Sequence, residues 1–350
     1  MDGQAPGLLF LAGLVAGAGI ALVIGLHADR IGRALGLLDF PDPAGGRKLH
    51  GRVTPLVGGL AVLLASLAGL LVQGADGSFA RAWFAIAVIG MFATGIADDR
   101  FGLTAPFRLL FAGGLLTLVM LQAPDFRLAF LLFEGQRALL VFSTFGGIAF
   151  SLLCLIGFLN AVNMADGKNG LVIGQAIIWS LVLMVRLPPD QIPLLGALLG
   201  ALLVLFGFNM RGLLFMGDSG SYALSAIFGL LAIYAWNTGF ADMRAEDLAL
   251  IFALPVFDTI RLILHRILSG KSPFTPGRDH LHHYLFARWG WPRPLPWVLL
   301  LVALPNLLAI LLPGTGLVWL ALTLLGYFLL LWAARRPVTP ASDAAPSPGA

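Results

Sequence analysis

The chain has 350 residues, 59% of them hydrophobic and 11% charged, with a mean hydropathy of +0.91. That is more apolar surface than a water-soluble domain of this size can hide, so a soluble globular fold is excluded and an integral membrane protein is expected. The net charge of +4 does not imply a nucleic-acid partner, because an excess of Lys and Arg on one side is the ordinary orientation signal of a membrane protein.

The apolar runs are long and do not alternate. In lipid only helices or closed barrels satisfy the backbone, so these runs read as helices. The first, residues 8–26, follows MDGQAP rather than a Lys- or Arg-led stretch and is expected to be retained, not cleaved as a signal peptide. The others are residues 56–72, 82–97, 109–121, 139–159, 171–185, 194–208, 219–236, 248–264, 295–312 and 317–334. The expectation is an all-α polytopic bundle of about eleven transmembrane helices, although several runs fall short of the roughly 20 residues a perpendicular span needs. The run 109–121 is the weakest of them. The single cysteine, Cys154, lies inside a run and cannot form an intramolecular disulfide. Residues 1–336 read as one multi-span domain, and 337–350, mostly Pro, Ala and Ser, as a disordered tail.

Eleven spans assign every connection to a side. Seventeen of the 22 Lys and Arg then fall after odd spans or at the C-terminus, leaving Arg81, Arg127, Arg137, Arg186 and Arg244 opposite. This places the N-terminus outside and the C-terminus in the cytoplasm.

All the unusual polar clusters lie on the basic side. Arg47, Lys48 and His50 precede the second run; Asp98 and Asp99, in GIADDRFGL, end the third; NAVNMADGKNG, Asn160 to Gly170, follows the fifth. Asn160, Asn163 and Asp166 recur every three residues and share a face if the helix continues past Leu159. Asp218 in FMGDSGSYAL opens the eighth run, Arg211 precedes it, and Arg278, His280, His282 and His283 lie between the ninth and tenth. Each has a plainer reading. Asp98 and Asp99 could end a helix neutralised by Arg100, Asp218 or Ser219 could be a cap, and Asp258 and Arg261, three apart, could simply pair. His27 reads as interfacial, and Trp289, Trp291 and Trp297 as an aromatic belt. An acid at membrane depth is nevertheless a functional hypothesis by default.

Carboxylates and amides without a cysteine pair make an oxygen-rich set suited to Mg²⁺ or Mn²⁺, and Mg²⁺ implies phosphate. The three histidines could form a zinc site or donate to phosphate. A multi-span ion-coupled transporter and an intramembrane aspartyl protease are the rival readings. Against the first, the acids sit at helix ends on one side without a repeat; against the second, Asp218 lacks the upstream glycine of a GxGD motif.

The ordered set RKLHGRVTPLVGG, GIADDRFGL, NAVNMADGKNGL, FMGDSGSYALS and SPFTPGRDHLHH resembles the polyprenyl-phosphate N-acetylhexosamine-1-phosphate transferases, glycosyltransferase family 4. Its RDHLHH form is similar to the WecA-like branch of undecaprenyl-phosphate GlcNAc-1-phosphate transferases. The resemblance implies a Mg²⁺-dependent enzyme of a bacterial inner membrane whose active site faces the cytoplasm. It would transfer GlcNAc 1-phosphate, or another N-acetylhexosamine 1-phosphate, from a UDP-sugar to polyprenyl phosphate, releasing UMP and initiating a cell-envelope glycan; a homodimer is also implied. On matching positions it makes Asp98, Asp99 and Asp166 catalytic, and Asp218, with Asp99 and Asn163, metal-binding. Lys48, His50, Asn160, Asn163, Asn169, Arg211, Arg278, His280, His282 and His283 would bind substrate. Asn169 departs from the family, which carries an acid there, so no step needing an ionised carboxylate at this position can operate.

Overall fold

A computed structural model describes residues 5–41, 51–74, 79–239, 242–272, 277 and 279–335. Lys48, His50 and Arg278, together with the proposed tail, lie outside the described residues. Fourteen α-helices follow in order: α1 (Ala5–Leu26), α2 (Ala28–Leu35), α3 (Gly58–Gln73), α4 (Phe79–Phe101), α5 (Ala105–Gln122), α6 (Thr144–Ala165) and α7 (Leu171–Arg186). Then come α8 (Ile192–Met210), α9 (Gly217–Gly239), α10 (Ala245–Ile251), α11 (Ala253–Leu268), α12 (Leu281–Trp289), α13 (Leu295–Leu311) and α14 (Gly316–Arg335). Two short antiparallel ladders, β1 (Leu38–Asp39) with β2 (Thr54–Pro55) and β3 (Phe130–Leu131) with β4 (Leu140–Val141), pin loops at the bundle ends.

Each of the eleven apolar runs is mostly helical, though the run 139–159 begins in β4 and the run 248–264 is split between α10 and α11. Among the described residues seven helices are long and apolar enough to cross a membrane, and an eighth span is available if α10 and α11, bent by 83° at Phe252, count as one. The helices α3, α7 and α13 are apolar but shorter. This is the architecture of an all-α polytopic membrane protein. The outer faces of α1, α5 and α14 expose leucines, valines and phenylalanines such as Val15, Leu110 and Phe328, as surfaces against lipid do.

Helix α9 is the axis of the bundle. Almost every residue from Ser219 to Trp236 is buried, and α3, α4, α6 and α7 pack around it. A helix so enclosed cannot bring charge into the core cheaply, and its acid, Asp218, stands in the first turn, at the end of the bundle. The start of α3 is fixed to this same end, where Gly58 and Gly59 donate N–H to the carbonyls of Phe215 (3.0 Å) and Met216 (3.2 Å).

Candidate active site

The bundle end at which α9 begins also holds the C-terminal ends of α4, α6 and α8 and the N-terminal ends of α3, α5 and α7. Asp99, in the last turn of α4, accepts the backbone N–H of Asp218 (2.8 Å) on one carboxylate oxygen and that of Ser219 (2.9 Å) on the other. These are two of the donors that every helix start leaves unsatisfied, so Asp99 caps α9 from a different helix and places a negative charge on its positive dipole end. Neither Asp218 nor Ser219 acts as the cap. The fit requires Gly217: its φ is +70°, and a Cβ there would lie 2.7 Å from an Asp99 oxygen.

Asp98, one residue earlier on α4, points elsewhere because adjacent helix residues diverge. It is buried, and one oxygen accepts from Arg108 Nη1 of α5 (2.5 Å) and from the Tyr222 hydroxyl of α9 (2.9 Å). Arg100, the expected neutraliser of the pair, instead lies over the Phe101 ring. The two carboxylates are thus differentiated: one is a cap, the other is held between a guanidinium and a phenol.

From α6, the Asn163 amide reaches Asp218 (2.5 Å) and the Ser221 hydroxyl (3.1 Å). Asp166 closes the same helix as its C-cap residue. Burial, then the charge of Asp99, raises its pKa to about 7. Asn160 turns its amide back to the carbonyl of Ile156 in its own helix (2.8 Å). The turn after Asp166 is fastened from outside. Asn209, buried at the end of α8, accepts the N–H of Gly170 (2.6 Å) and donates to the carbonyl of Leu214 (3.0 Å), and Trp291 Nε1 donates to the carbonyl of Asn169 (2.8 Å). Trp291 is therefore a strut of the site, not a belt residue. Arg211 is exposed beside this turn, and Arg52 reaches the neighbouring carbonyl of Gly212. Lys168 Nζ sits 3.9 Å over the Phe286 ring of α12.

The histidine motif, expected in a loop, opens α12. His282 is buried, and its ring lies against Gly167, where a side chain would collide with it. The motif thereby adjoins Asp166. Burial first, and then the nearby His283 and His280, push the His282 pKa well down, so His282 is a neutral donor or acceptor, not a cation. His280 stacks on His282 with ring centroids 5.3 Å apart and gives Nδ1 to Asp258 (3.0 Å). Asp258 and Arg261 pair at 2.8 Å as their spacing implied, and the same carboxylate also holds the histidine.

Among the described residues no three His, Cys, Asp or Glu side chains form a ready-made metal cage, and no Lys or Arg pairs with Asp99, Asp166 or Asp218. The second fact bears on Mg²⁺. Among the described residues the three acids around Asn163 have no Lys or Arg in direct contact, the positive charge felt by Asp218 being that of Arg108, and Asp218 is additionally beside Asp98. Such an excess of carboxylate oxygen fits a hard cation that takes few protein ligands and leaves the rest of its shell to water and phosphate.

Sequence reasoning passed over Arg108, Tyr222, Asn209 and Tyr327 as site residues. Tyr222 carried a signal: it lies four residues after Asp218, on the same helix face. Asn209 ends an otherwise apolar run, but its partners are 39 and 5 residues away and no local pattern reveals them.

Acids, amides and imidazoles are thus gathered at one end of a helical bundle of membrane-spanning character. Residues 82–236, from α4 through most of α9, match the family described as glycosyl transferase family 4. The chain is 27% identical to a probable undecaprenyl-phosphate N-acetylglucosaminyl 1-phosphate transferase of Bacillus subtilis (strain 168), over 76% of this chain and 74% of that one. It is also 27% identical to an undecaprenyl-phosphate alpha-N-acetylglucosaminyl 1-phosphate transferase of Yersinia pestis, over 88% and 87%. A third relative, 28% identical over 68% and 66%, is a decaprenyl-phosphate N-acetylglucosaminephosphotransferase of Mycolicibacterium smegmatis (strain ATCC 700084 / mc(2)155). Over residues 82–236 the chain is thus similar to glycosyl transferase family 4.

Proposed function

We propose that the protein transfers GlcNAc 1-phosphate from UDP-GlcNAc to a polyprenyl phosphate in the bacterial inner membrane, releasing UMP and initiating a cell-envelope glycan. The observation that carries this reading is the meeting of Asp98, Asp99, Asn163, Asp166 and Asp218 with the histidines at one bundle end. The reading has eleven spans, an outer N-terminus and a site facing the cytoplasm, which agrees with Arg52, Arg100, Arg108, Lys168 and Arg211 all belonging to the site end. A homodimer is part of the same reading. The relatives' names carry the same acceptor class and the same transferred group.

In the reaction an oxygen of the lipid phosphate attacks the β-phosphorus of the nucleotide sugar, the bond to the bridging oxygen breaks, and UMP leaves. A phosphate monoester is already largely anionic at neutral pH, so Asp98 need only orient it or take its last proton. The Arg108 guanidinium keeps that carboxylate aimed. Asp218, with Asp99 and Asn163, would hold Mg²⁺, which supplies charge neutralisation for the phosphates when bound. Asp166 supplies a further carboxylate beside them. His280, His282 and His283, with Lys48, His50, Asn160, Asn169, Arg211 and Arg278, would bind the substrates through hydrogen bonds to phosphate and sugar. Attack is direct, with no sugar phosphate carried on an aspartate.

Purified protein in detergent, given UDP-GlcNAc, polyprenyl phosphate and Mg²⁺, should release UMP, and omission of the lipid or the Asp218→Ala substitution should abolish release. Release from another UDP-amino sugar alone would keep the chemistry and change the donor. Silence with every UDP-sugar from folded protein would favour the transporter reading. A phosphosugar trapped covalently on Asp98, Asp99 or Asp166 would refute direct attack.

A further inference from the structure

Outside the acidic cluster, the densest buried polar network centres on Asp258 of α11. Its carboxylate accepts four hydrogen bonds from three elements: His280 Nδ1 (3.0 Å), Arg261 Nη2 (2.8 Å), the Tyr327 hydroxyl of α14 (2.8 Å) and the backbone N–H of Leu281 (3.2 Å). Arg261 alone would neutralise the charge, and the other three contacts do something else. Leu281 is the first residue of α12, so Asp258 caps that helix from outside as Asp99 caps α9. Arg261 also donates to the carbonyl of Asp279 (2.5 Å), and through Nε to the fully buried Tyr327 hydroxyl (2.5 Å). The backbone on both sides of His280, and one nitrogen of its ring, are thereby clamped to a single carboxylate and guanidinium pair.

The clamp also selects a tautomer. A carboxylate can only accept, so the His280 nitrogen facing it carries its proton, and Nε2 is left on the far edge of the ring. That ring stacks on His282, which rests on Gly167 beside Asp166.

We propose that Asp258, braced by Tyr327 and Arg261, is a positioning residue that fixes the tautomer and direction of His280, so that Nε2 is the atom this loop presents to a substrate phosphate. The proposal rests on the transferase reading. Nε2 takes up a proton or, once protonated, donates it in a hydrogen bond to the phosphate, and the carboxylate behind it steadies the resulting imidazolium. Tyr327, on the last helix, acts on the site only through Asp258 and Arg261.

The test joins kinetics with a readout that loss of packing alone would not move. In ¹⁵N NMR of the detergent-solubilised protein with labelled histidine, His280, assigned by comparison with His280→Gln, should carry a protonated Nδ1. Asp258→Asn turns an amide N–H toward the ring, so the proton should leave Nδ1. In the UMP-release assay the same variant should lower kcat/KM by about 10- to 100-fold, and Asp258→Glu should recover part of that loss. Tyr327→Phe removes the hydrogen bond to Asp258 and the acceptor for Arg261 Nε, and should lower kcat/KM by about threefold with His280 still protonated at Nδ1. An unprotonated Nδ1 in the native protein would overturn the proposal, as would an Asp258→Asn protein with native kcat and KM. Should Asp258→Asn fail to fold, the native spectrum and the Tyr327→Phe kinetics decide. If native protein releases no UMP from any UDP-sugar, the transferase reading fails separately, and the spectra still test the clamp.

Discussion

Replacing Gly95 by alanine would push apart the two helices that carry the central acids without altering any residue that meets substrate. Gly95 lies on α4 one turn before Asp98 and Asp99, and a Cβ there would approach the Asp218 carbonyl oxygen to 2.5 Å and meet the Cα and nitrogen of Ser219 more closely still. Two carbons settle about 3.5 Å apart at closest, so α4 and α9 must separate by more than about 1 Å at this crossing. The hydrogen bonds from Asp218 and Ser219 N–H to Asp99, now 2.8 and 2.9 Å, would stretch to about 4 Å, which is no longer a hydrogen bond. Overpacking of this kind costs about 1–3 kcal/mol of stability, and a displacement of about 1 Å between reacting groups costs about 100-fold in rate. The expected result is a folded protein with a lowered melting temperature and kcat reduced about 100-fold in UMP release. Gly157→Ala on α6, where a Cβ meets nothing within 4 Å, is the control and should leave both quantities near native values. A Gly95→Ala protein with kcat within twofold of native would refute the claim that the α4–α9 contact sets the geometry of the acids.

Other outcomes follow from the same contacts. Because burial raises the Asp166 pKa to about 7, the unliganded fold is favoured in acid, and that advantage is lost as pH rises from the ordinary carboxylate range through about 7. Thermal unfolding of metal-free Asp166→Asn against native protein should therefore show a gap that opens over that window and levels off above it; a constant gap would contradict it. Asn209→Leu strands the N–H of Gly170 and the carbonyl of Leu214, each loss costing about 1–3 kcal/mol; denaturant unfolding should register it, and an unchanged midpoint would show the turn to be held otherwise. Chelation with EDTA should abolish UMP release and added Mg²⁺ should restore it, whereas undiminished turnover in EDTA would remove the metal from the account.

The membrane bundle was legible because apolar run length reports directly on lipid burial, and each of the eleven runs is mostly helical. Lengths were less legible. The helices α3, α7 and α13 stop at 16, 16 and 17 residues, and the ninth run breaks at Phe252, a bend that hydropathy does not encode. Within the site, the three-residue spacing of Asn163 and Asp166 placed them together at the end of α6. The division of labour between Asp98 and Asp99 was not legible: their adjacency says only that they diverge, and the partners that give each its role, Arg108 with Tyr222 and the start of α9, come from other helices. The histidine motif was visible as a cluster. That it starts a helix, and that Asp258 holds it from 22 residues away, depends on the fold of α11 and α14.

The most direct test of the proposed reaction follows the phosphorus. UDP-GlcNAc labelled with ³²P at the β position, incubated with native protein, polyprenyl phosphate and Mg²⁺, should yield an extractable lipid carrying the label while the released UMP is unlabelled; α-labelled donor should give labelled UMP and unlabelled lipid. Label from the α position in the lipid, or no labelled lipid from the β position while nucleotide is released, would contradict attack at the β-phosphorus.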